Sequence, residues 1–206
     1  MVTRGSVVAE DVPGGFAAVY RVLAAAEEAG RVRRGYFVEG LGASQFGGTG
    51  AVDRLRATTR SLGGDGRQRS RTDKDEHGES VLVLAASDPA NPYGAALPWP
   101  LHDAGPGETR GHQPARKAGA LVALVDGALA LYVERGGKTL LSFSDDDALL
   151  LPAAKALADA VHAGALGRLT VEKIDGSSVM GTEHPLGRAL AAAGFQLTPK
   201  GLRLRR

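Results

Sequence analysis

The pair Asp126-Gly127, between two apolar segments of strand length, is the feature that most constrains the fold. The segments run from Ala118 to Val125 and from Leu129 to Glu134. An Asp-Gly pair in this setting is typical of a type I′ hairpin, because both central residues need a positive φ. Gly136-Gly137 makes the next turn, and a third strand is expected from Lys138 to Phe143. This meander predicts a small antiparallel sheet or barrel.

A helix followed closely by a basic strand is expected near the start of the chain. Apolar residues recur at three- and four-residue spacing from Phe16 to Ala29, and Gly30 is suited to end the helix. Arg31 to Leu41 then predicts a strand, so the pattern is that of the second half of a winged helix. The lead from Met1 to Gly15 is too short for the first helices. We therefore expect the chain to begin inside a domain of a larger protein, as a truncated chain or the product of a split gene.

The remaining segments complete an α+β prediction: a partial winged helix over residues 1–40, and a small antiparallel β-barrel with accessory helices over residues 41–206. Polar, Gly-rich composition predicts flexible loops near residues 57–80 and 101–114, since such segments have little apolar surface to bury. The apolar run from Val81 to Ala86 predicts a buried strand. The last residues, from Phe195 to Leu204, predict a final hairpin.

Composition excludes several classes of protein. The chain has no cysteine, which excludes disulfides, thiolate catalysis and cysteine zinc sites. The five histidines share no metal-ligand spacing, so no metal site is expected. No apolar run approaches the ~20 residues of a membrane helix, and no signal peptide is visible. We expect no membrane partner and a cytoplasmic location.

Two arginine clusters are candidates for nucleic-acid contact, since the planar guanidinium suits phosphate. One cluster (Arg31, Arg33 and Arg34) starts the basic strand, and the other (Arg203, Arg205 and Arg206) ends the chain. In the last strand, alternation places Arg203 and Arg205 on one face. The alternative for both clusters is an ordinary solvated surface.

The segment from Asp88 to Pro100 is a second candidate site. Three prolines before Trp99 stiffen it, and Asp88 and Asn91 can close turns with nearby backbone amides. Tyr93 and Trp99 offer aromatic faces on which a base could stack. The alternative is a structural turn with Trp99 in the core.

Four long segments of the chain resemble one protein family. They are Arg33 to Phe46, Asp88 to Pro100, Arg116 to Ala120 and Pro199 to Arg205. Together they resemble the C-terminal region of the large helicase-related (Lhr) family of ATP-dependent DNA helicases. The resemblance implies a DNA-binding module used in DNA repair, with DNA and the remaining helicase domains as partners. No Gly-x-x-x-x-Gly-Lys-Ser/Thr phosphate loop occurs in this chain, so ATP and Mg²⁺ would belong to absent motor domains.

The same region of the family looks like the winged-helix and barrel part of the AlkZ/YcaQ-type DNA glycosylases. That likeness implies an alternative function in base excision, with Gln45 near the lesion and a carboxylate supporting the sugar. Asp88 is the preferred carboxylate and Glu39 the second choice. Ala43 stands two residues before Gln45, so a motif of two glutamines is not preserved. A third alternative is an oligomerisation module, with a possible homo-oligomer.

Overall fold

The computed structural model describes residues 1–38, 40–61, 80–101, 113–180 and 183–204. The chain divides into two compact units. The first unit holds residues 1–78 and 92–98, and the second unit holds residues 79–91 and 99–206. The domain boundary predicted near residue 40 stays a prediction. Most of the two segments expected to be flexible lies outside the described residues.

In its described residues, the first unit contains three helices and a hairpin: α1 (Arg4–Ala9), α2 (Gly15–Glu28), β1 (Val32–Gly35), β2 (Gln45–Gly48) and α3 (Thr49–Ser61). The strands are antiparallel, with Val32 opposite Gly48 and Gly35 opposite Gln45. On the other side of β2, Val2 forms an antiparallel bridge with Phe46, and both backbone amides donate, over 2.7 and 2.9 Å. An extended segment, two helices and a hairpin in this order make the winged-helix arrangement.

Three features of the first unit differ from the sequence-based expectations. The short lead contains α1, which begins with a capping box: Thr3 and Ser6 each accept a hydrogen bond from the other's backbone amide. The strand expected up to Leu41 ends at Gly35, because the chain turns there to return as β2. Helix α3 continues to Ser61, inside the segment predicted to be a loop from residue 57.

The second unit contains nine strands and two helices among the described residues. They are β3 (Val81–Ala85), β4 (Leu121–Val125), β5 (Ala128–Val133), β6 (Thr139–Ser142), α4 (Asp147–His162), β7 (Thr170–Val171), β8 (Lys173–Ile174), β9 (Ser177–Ser178), α5 (Pro185–Ala192), β10 (Gln196–Thr198) and β11 (Gly201–Arg203). Six strands form a sheet in the order β3-β4-β5-β6-β8-β9, and a smaller sheet has the order β10-β11-β7. The pairing of β6 with β8 is parallel, and all other pairings are antiparallel.

The α+β class is confirmed, but the barrel is not. In the described residues the outer strands of the large sheet, β3 and β9, pair with one neighbour each, so the sheet stays open. Strand β3 was expected to be buried. It is instead an edge strand, and Leu82 is 51% exposed.

The predicted meander forms with the predicted turn. Asp126 has φ 48° and Gly127 has φ 85°, which is the left-handed pair that a type I′ turn requires. The Asp126 carboxylate also accepts a hydrogen bond from the backbone amide of Ser80 over 3.1 Å. The turn therefore fixes the β4–β5 hairpin and the start of β3 together.

Helix α4 covers one face of the large sheet and closes the core of the second unit. Asp146 caps the helix, accepting from the amide of Ala148 over 2.9 Å. Leu150, Leu157 and Val161 are fully buried, and they pack with the inner residues of β4 and β5. Helix α5 lies against α4 and contributes the buried Leu186 and Leu190. Burying each of these aliphatic side chains stabilises the unit by about 1.5–3 kcal/mol before entropy costs.

Gly201 is the position where the second unit has least room for a side chain. A Cβ atom there would lie 2.1 Å from the carbonyl oxygen of Val171, on the neighbouring strand β7. We expect Gly201→Ala to cost at least about 3 kcal/mol in the free energy of unfolding, because strand backbone would have to move. Urea denaturation measures the loss.

The matched control is Gly127→Ala. Gly127 also has a positive φ, but no atom lies within 4 Å of the position its Cβ would take. This variant should cost only the conformational strain, about 1–2 kcal/mol. Equal losses in the two variants would contradict the proposed clash.

Candidate functional site

The loop between β1 and β2 is built around the side chain of Gln45. Gln45 is fully buried, and its Oε1 accepts hydrogen bonds from the amides of Phe37 and Val38 at 3.1 and 2.9 Å. Its Nε2 donates to the carbonyls of Val38 and Gly42 at 2.7 and 2.8 Å. These four bonds use the full capacity of the amide. In the structure, the Gln45 amide orders the loop through these bonds. The role of Gln45 at a lesion stays a prediction.

The register of the hairpin separates the three arginines predicted to act together. Arg33 is opposite Gly47, and Arg34 is opposite Phe46. Because side chains alternate along a strand, Arg33 is on one face of the hairpin and Arg34 is on the other. Arg31 directly precedes β1. A Cβ atom on Gly47 would contact Ala51 of α3. The face of Arg33 is therefore the face that α3 covers in part.

Arg34 is held against α2. Its Nε lies 3.3 Å from the Glu27 carboxylate, which also accepts from the Arg34 amide at 3.3 Å. Its Nη1 donates to the hydroxyl of Tyr20, and the guanidinium lies 6.0 Å from the centre of that ring. Much of its charge is thus neutralised within the protein, unlike that of Arg31 and Arg33.

Arg54 of α3 is a basic residue that the sequence-based prediction missed. It borders an open cavity in the first unit, of about 560 Å³, together with Arg31. The signal that could have found it is the helical spacing of the apolar residues Val52 and Leu55. That spacing indicates a helix immediately after β2, and Arg54 is on its exposed side.

The segment around Asp88 is a rigid turn in the second unit. The Asp88 carboxylate accepts from the amide of Ala90 over 2.8 Å. Asn91 is buried and donates to the carbonyl of Ala86 over 2.9 Å. The Arg116 guanidinium donates to the carbonyls of Ser87, Asp88 and Asn91 at 2.8 to 3.2 Å. The shape of this turn therefore needs no ligand, and the catalytic role of Asp88 stays a prediction.

The aromatic candidates are both half-buried, in different units. Trp99 belongs to the second unit and packs edge-on against Tyr132, with ring centres 5.7 Å apart. Tyr93 belongs to the first unit and forms a bridge with Leu97 inside the same short segment. Base stacking on either ring stays a prediction.

The final strand alternates as the sequence indicated. Leu202 and Leu204 are buried, and Arg203 between them is half-exposed. The buried Nε of Arg203 has no hydrogen-bond partner among the described residues. Arg205 and Arg206 lie outside the described residues, and so does Glu39.

A polar cluster centred on Asp175 was not predicted. Asp175 accepts hydrogen bonds from the amide and hydroxyl of Ser142 at 2.8 and 2.5 Å, and it lies 3.0 Å from Nε2 of His184. Nδ1 of His184 in turn accepts from the amide of Leu186 and caps α5. The hydroxyl points at the carboxylate rather than at the imidazole, so this is not the arrangement of a serine nucleophile. It joins β6, the β8–β9 turn and α5.

Two further searches cover only the parts of the chain that the structure describes. Among these residues, no group of three or more His, Asp or Glu side chains is arranged to hold a metal ion. No helix in the same residues is long and apolar enough to cross a membrane.

The comparisons with known proteins agree with this geometry. Residues 1–66 match the winged-helix domain of the large helicase-related proteins, so the first unit carries a winged-helix domain of that family. This confirms the family predicted from the sequence. The whole chain is 48% identical to a segment of a Mycolicibacterium smegmatis protein named "Lhr helicase/ probable uracil glycosylase". Over 98% of its length it is 36% identical to the Escherichia coli "Lhr helicase/uracil glycosylase". The chain spans about an eighth of these relatives, 13% and 12% of their lengths.

We expect Gln45→Met to release the loop between β1 and β2. The variant keeps the volume of the side chain but removes its four hydrogen bonds, at a cost of about 2 kcal/mol or more. Hydrogen exchange at the amides of Phe37 and Val38 should become faster. Gln196→Met, on an exposed strand position, is the control and should leave these amides unchanged. Unchanged exchange in the Gln45 variant would mean that the loop is ordered by other contacts.

Proposed function

We propose that this chain is a DNA-binding module from the C-terminal region of an Lhr-type ATP-dependent DNA helicase that acts in DNA repair. In this proposal ATP and Mg²⁺ are bound by motor domains elsewhere in the protein. The partners are DNA and the remaining helicase domains, and the location is cytoplasmic. The observation that carries the proposal is a winged-helix domain with two exposed arginines, Arg31 and Arg33, at the start of its hairpin.

The charge arrangement supports contact with the DNA backbone rather than with bases. In the described part of the chain, the guanidinium groups of Arg31 and Arg33 have no ion-pair partner, so their charge is available to phosphate. Helix α2 precedes the hairpin, the position of the recognition helix in this fold. The exposed side of α2 carries one arginine, Arg21, with the apolar Ala17, Val22 and Ala25. Such a surface offers few hydrogen-bond donors for base edges.

We expect the chain to bind duplex DNA with strong salt dependence. Each phosphate contact adds about 0.9 to the slope of log affinity against log salt. Replacing both Arg31 and Arg33 with Ala should reduce that slope by nearly two units. Fluorescence anisotropy across a salt series measures it.

Arg34→Ala is the matched control, because Glu27 and Tyr20 already hold that guanidinium. It should change the slope by less than half a unit. If the variant lacking Arg31 and Arg33 has the same salt slope as the unaltered chain, these two residues belong to an ordinary solvated surface.

Base excision is the second candidate, and the printed names of both relatives favour it, since each includes uracil glycosylase. In that function a damaged base would be extruded from the duplex, and a carboxylate would support the positive charge that develops on the sugar. Asp88 is the proposed carboxylate.

We expect Asp88→Asn to abolish release of uracil from a uracil-containing oligonucleotide if Asp88 is catalytic. Asn keeps the side-chain acceptor that bonds the amide of Ala90, so the turn should survive while the charge is lost. Alkaline cleavage of the product measures excision, and anisotropy confirms that the variant still binds DNA. Excision at the rate of the unaltered chain would make Asp88 a turn residue only.

An assembly role is the third candidate. Val8 of α1 and Val22 of α2 are 68% and 70% exposed in the first unit, which favours contact with another domain or a second copy of the chain. Sedimentation of the chain with Val8→Ser and Val22→Ser, compared with the unaltered chain, tests this candidate.

A further inference from the structure

We propose that the cavity between the start of β1 and helix α3 binds a single DNA phosphate, held jointly by Arg31 and Arg54. The inference rests on the proposed DNA-binding function and names the surface of the first unit that carries it. The DNA backbone would lie on the α3 side of the hairpin, and not along α2.

The first argument is that two arginine side chains border the cavity and have no acidic partner among the described residues. Arg31 precedes β1 and Arg54 belongs to α3, yet both border the same cavity of about 560 Å³. Among the described residues that line this cavity there is no carboxylate. Within the described residues neither guanidinium has an ion-pair or hydrogen-bond partner, whereas Asp53 of α3 pairs with Arg56 instead. Two like charges that face one cavity repel each other, and an anion placed between them relieves that repulsion.

The second argument is access to the backbone and to hydroxyl groups. Gly48 and Gly50 border the cavity, and no atom lies within 4 Å of the position where either Cβ would be. A ligand can therefore approach the main chain closely there. The side chain of Thr49 also lines the cavity, and its hydroxyl can donate to an oxyanion. The hydroxyl of Thr58, another lining residue, donates to the carbonyl of Arg54 over 3.0 Å. Planar guanidinium forks with added hydroxyl donors suit the tetrahedral oxygens of phosphate.

The third argument is the placement of the other arginines of the hairpin. Arg33 is in β1, two residues after Arg31 in the chain, and it is not among the described residues that line the cavity. It can contact a neighbouring phosphate of the same strand. Arg34 faces α2 and is paired with Glu27. Arg31 and Arg54 are thus the two arginines that border this cavity among the residues described.

The experiment is a double-mutant cycle on binding to a duplex oligonucleotide of mixed sequence. Arg31→Ala and Arg54→Ala should each weaken binding about tenfold, and the double variant should lose little more than either. Two groups that hold one phosphate are coupled, so their effects do not add. The salt slope of the double variant should fall by about one unit. By contrast, Arg31→Ala and Arg33→Ala should add, with a slope change near two units.

Arg21→Ala on α2 is the control that separates this inference from the proposed function. It should leave affinity and slope unchanged. If Arg21→Ala weakens binding and Arg31→Ala and Arg54→Ala do not, the DNA lies along α2. The cavity proposal is then wrong although DNA binding stands. If the unaltered chain does not bind DNA at any salt concentration, both proposals fail. Additive effects of Arg31 and Arg54 would overturn the single shared phosphate.

A phosphate can come from within a strand or from its end. Duplexes with and without 5′-phosphates distinguish these sources. Equal affinities, both lowered by Arg54→Ala, support an internal backbone phosphate. A preference for the phosphorylated end that disappears in Arg54→Ala would overturn the backbone assignment and identify the cavity as an end-binding site. Thermal melting of each variant should match that of the unaltered chain, because both arginines are exposed.

Discussion

The register of the β1–β2 hairpin is the constraint on which the candidate interface depends. A slip by one residue would exchange the two faces of the hairpin, moving Arg33 toward α2 and Arg34 toward α3. The buried amide of Gln45 opposes such a slip, because its four hydrogen bonds fix the length and path of the loop between the strands. The bridge between Val2 and Phe46 fixes the other edge of β2. The hydrogen bonds of Gln45 in the loop thus help to determine on which face of the hairpin each arginine lies.

The second unit reaches its stability in a different way. Its large sheet is covered by α4, and the small side chains of Ala153, Ala154 and Ala158 allow the helix to approach closely. The carboxylate of Asp175 then joins strand, turn and helix around one acceptor group. Removing that carboxylate would leave the amide of Ser142 without this partner. The candidate turn around Asp88 follows the same principle, since Arg116 satisfies three of its carbonyls.

Elements with strong local signals could be predicted from the sequence. Three elements belong to this group, because the conformational preferences of their own residues indicate them without tertiary contacts. They are the Asp126-Gly127 turn, the helix ending at Glu28 and the final hairpin. The elements that were missed are short or weakly patterned. Helix α1 depends on the reciprocal capping of Thr3 and Ser6, and β9 has only two residues. The barrel was inferred from the meander of hairpins, and a meander does not decide whether the outer strands of the sheet pair with each other.

The sequence by itself determined the family, the α+β class and the presence of basic and aromatic candidates, because these depend on residue identity and local order. Only the tertiary structure decided which candidates are available to a ligand. It neutralised Arg34 with Glu27, buried the amides of Gln45 and Asn91, and brought Arg54 to the cavity of Arg31. The physical reason is that pairing, burial and proximity are properties of residues distant in the chain. Composition fixes how many arginines there are, and folding fixes which of them keep an unbalanced charge.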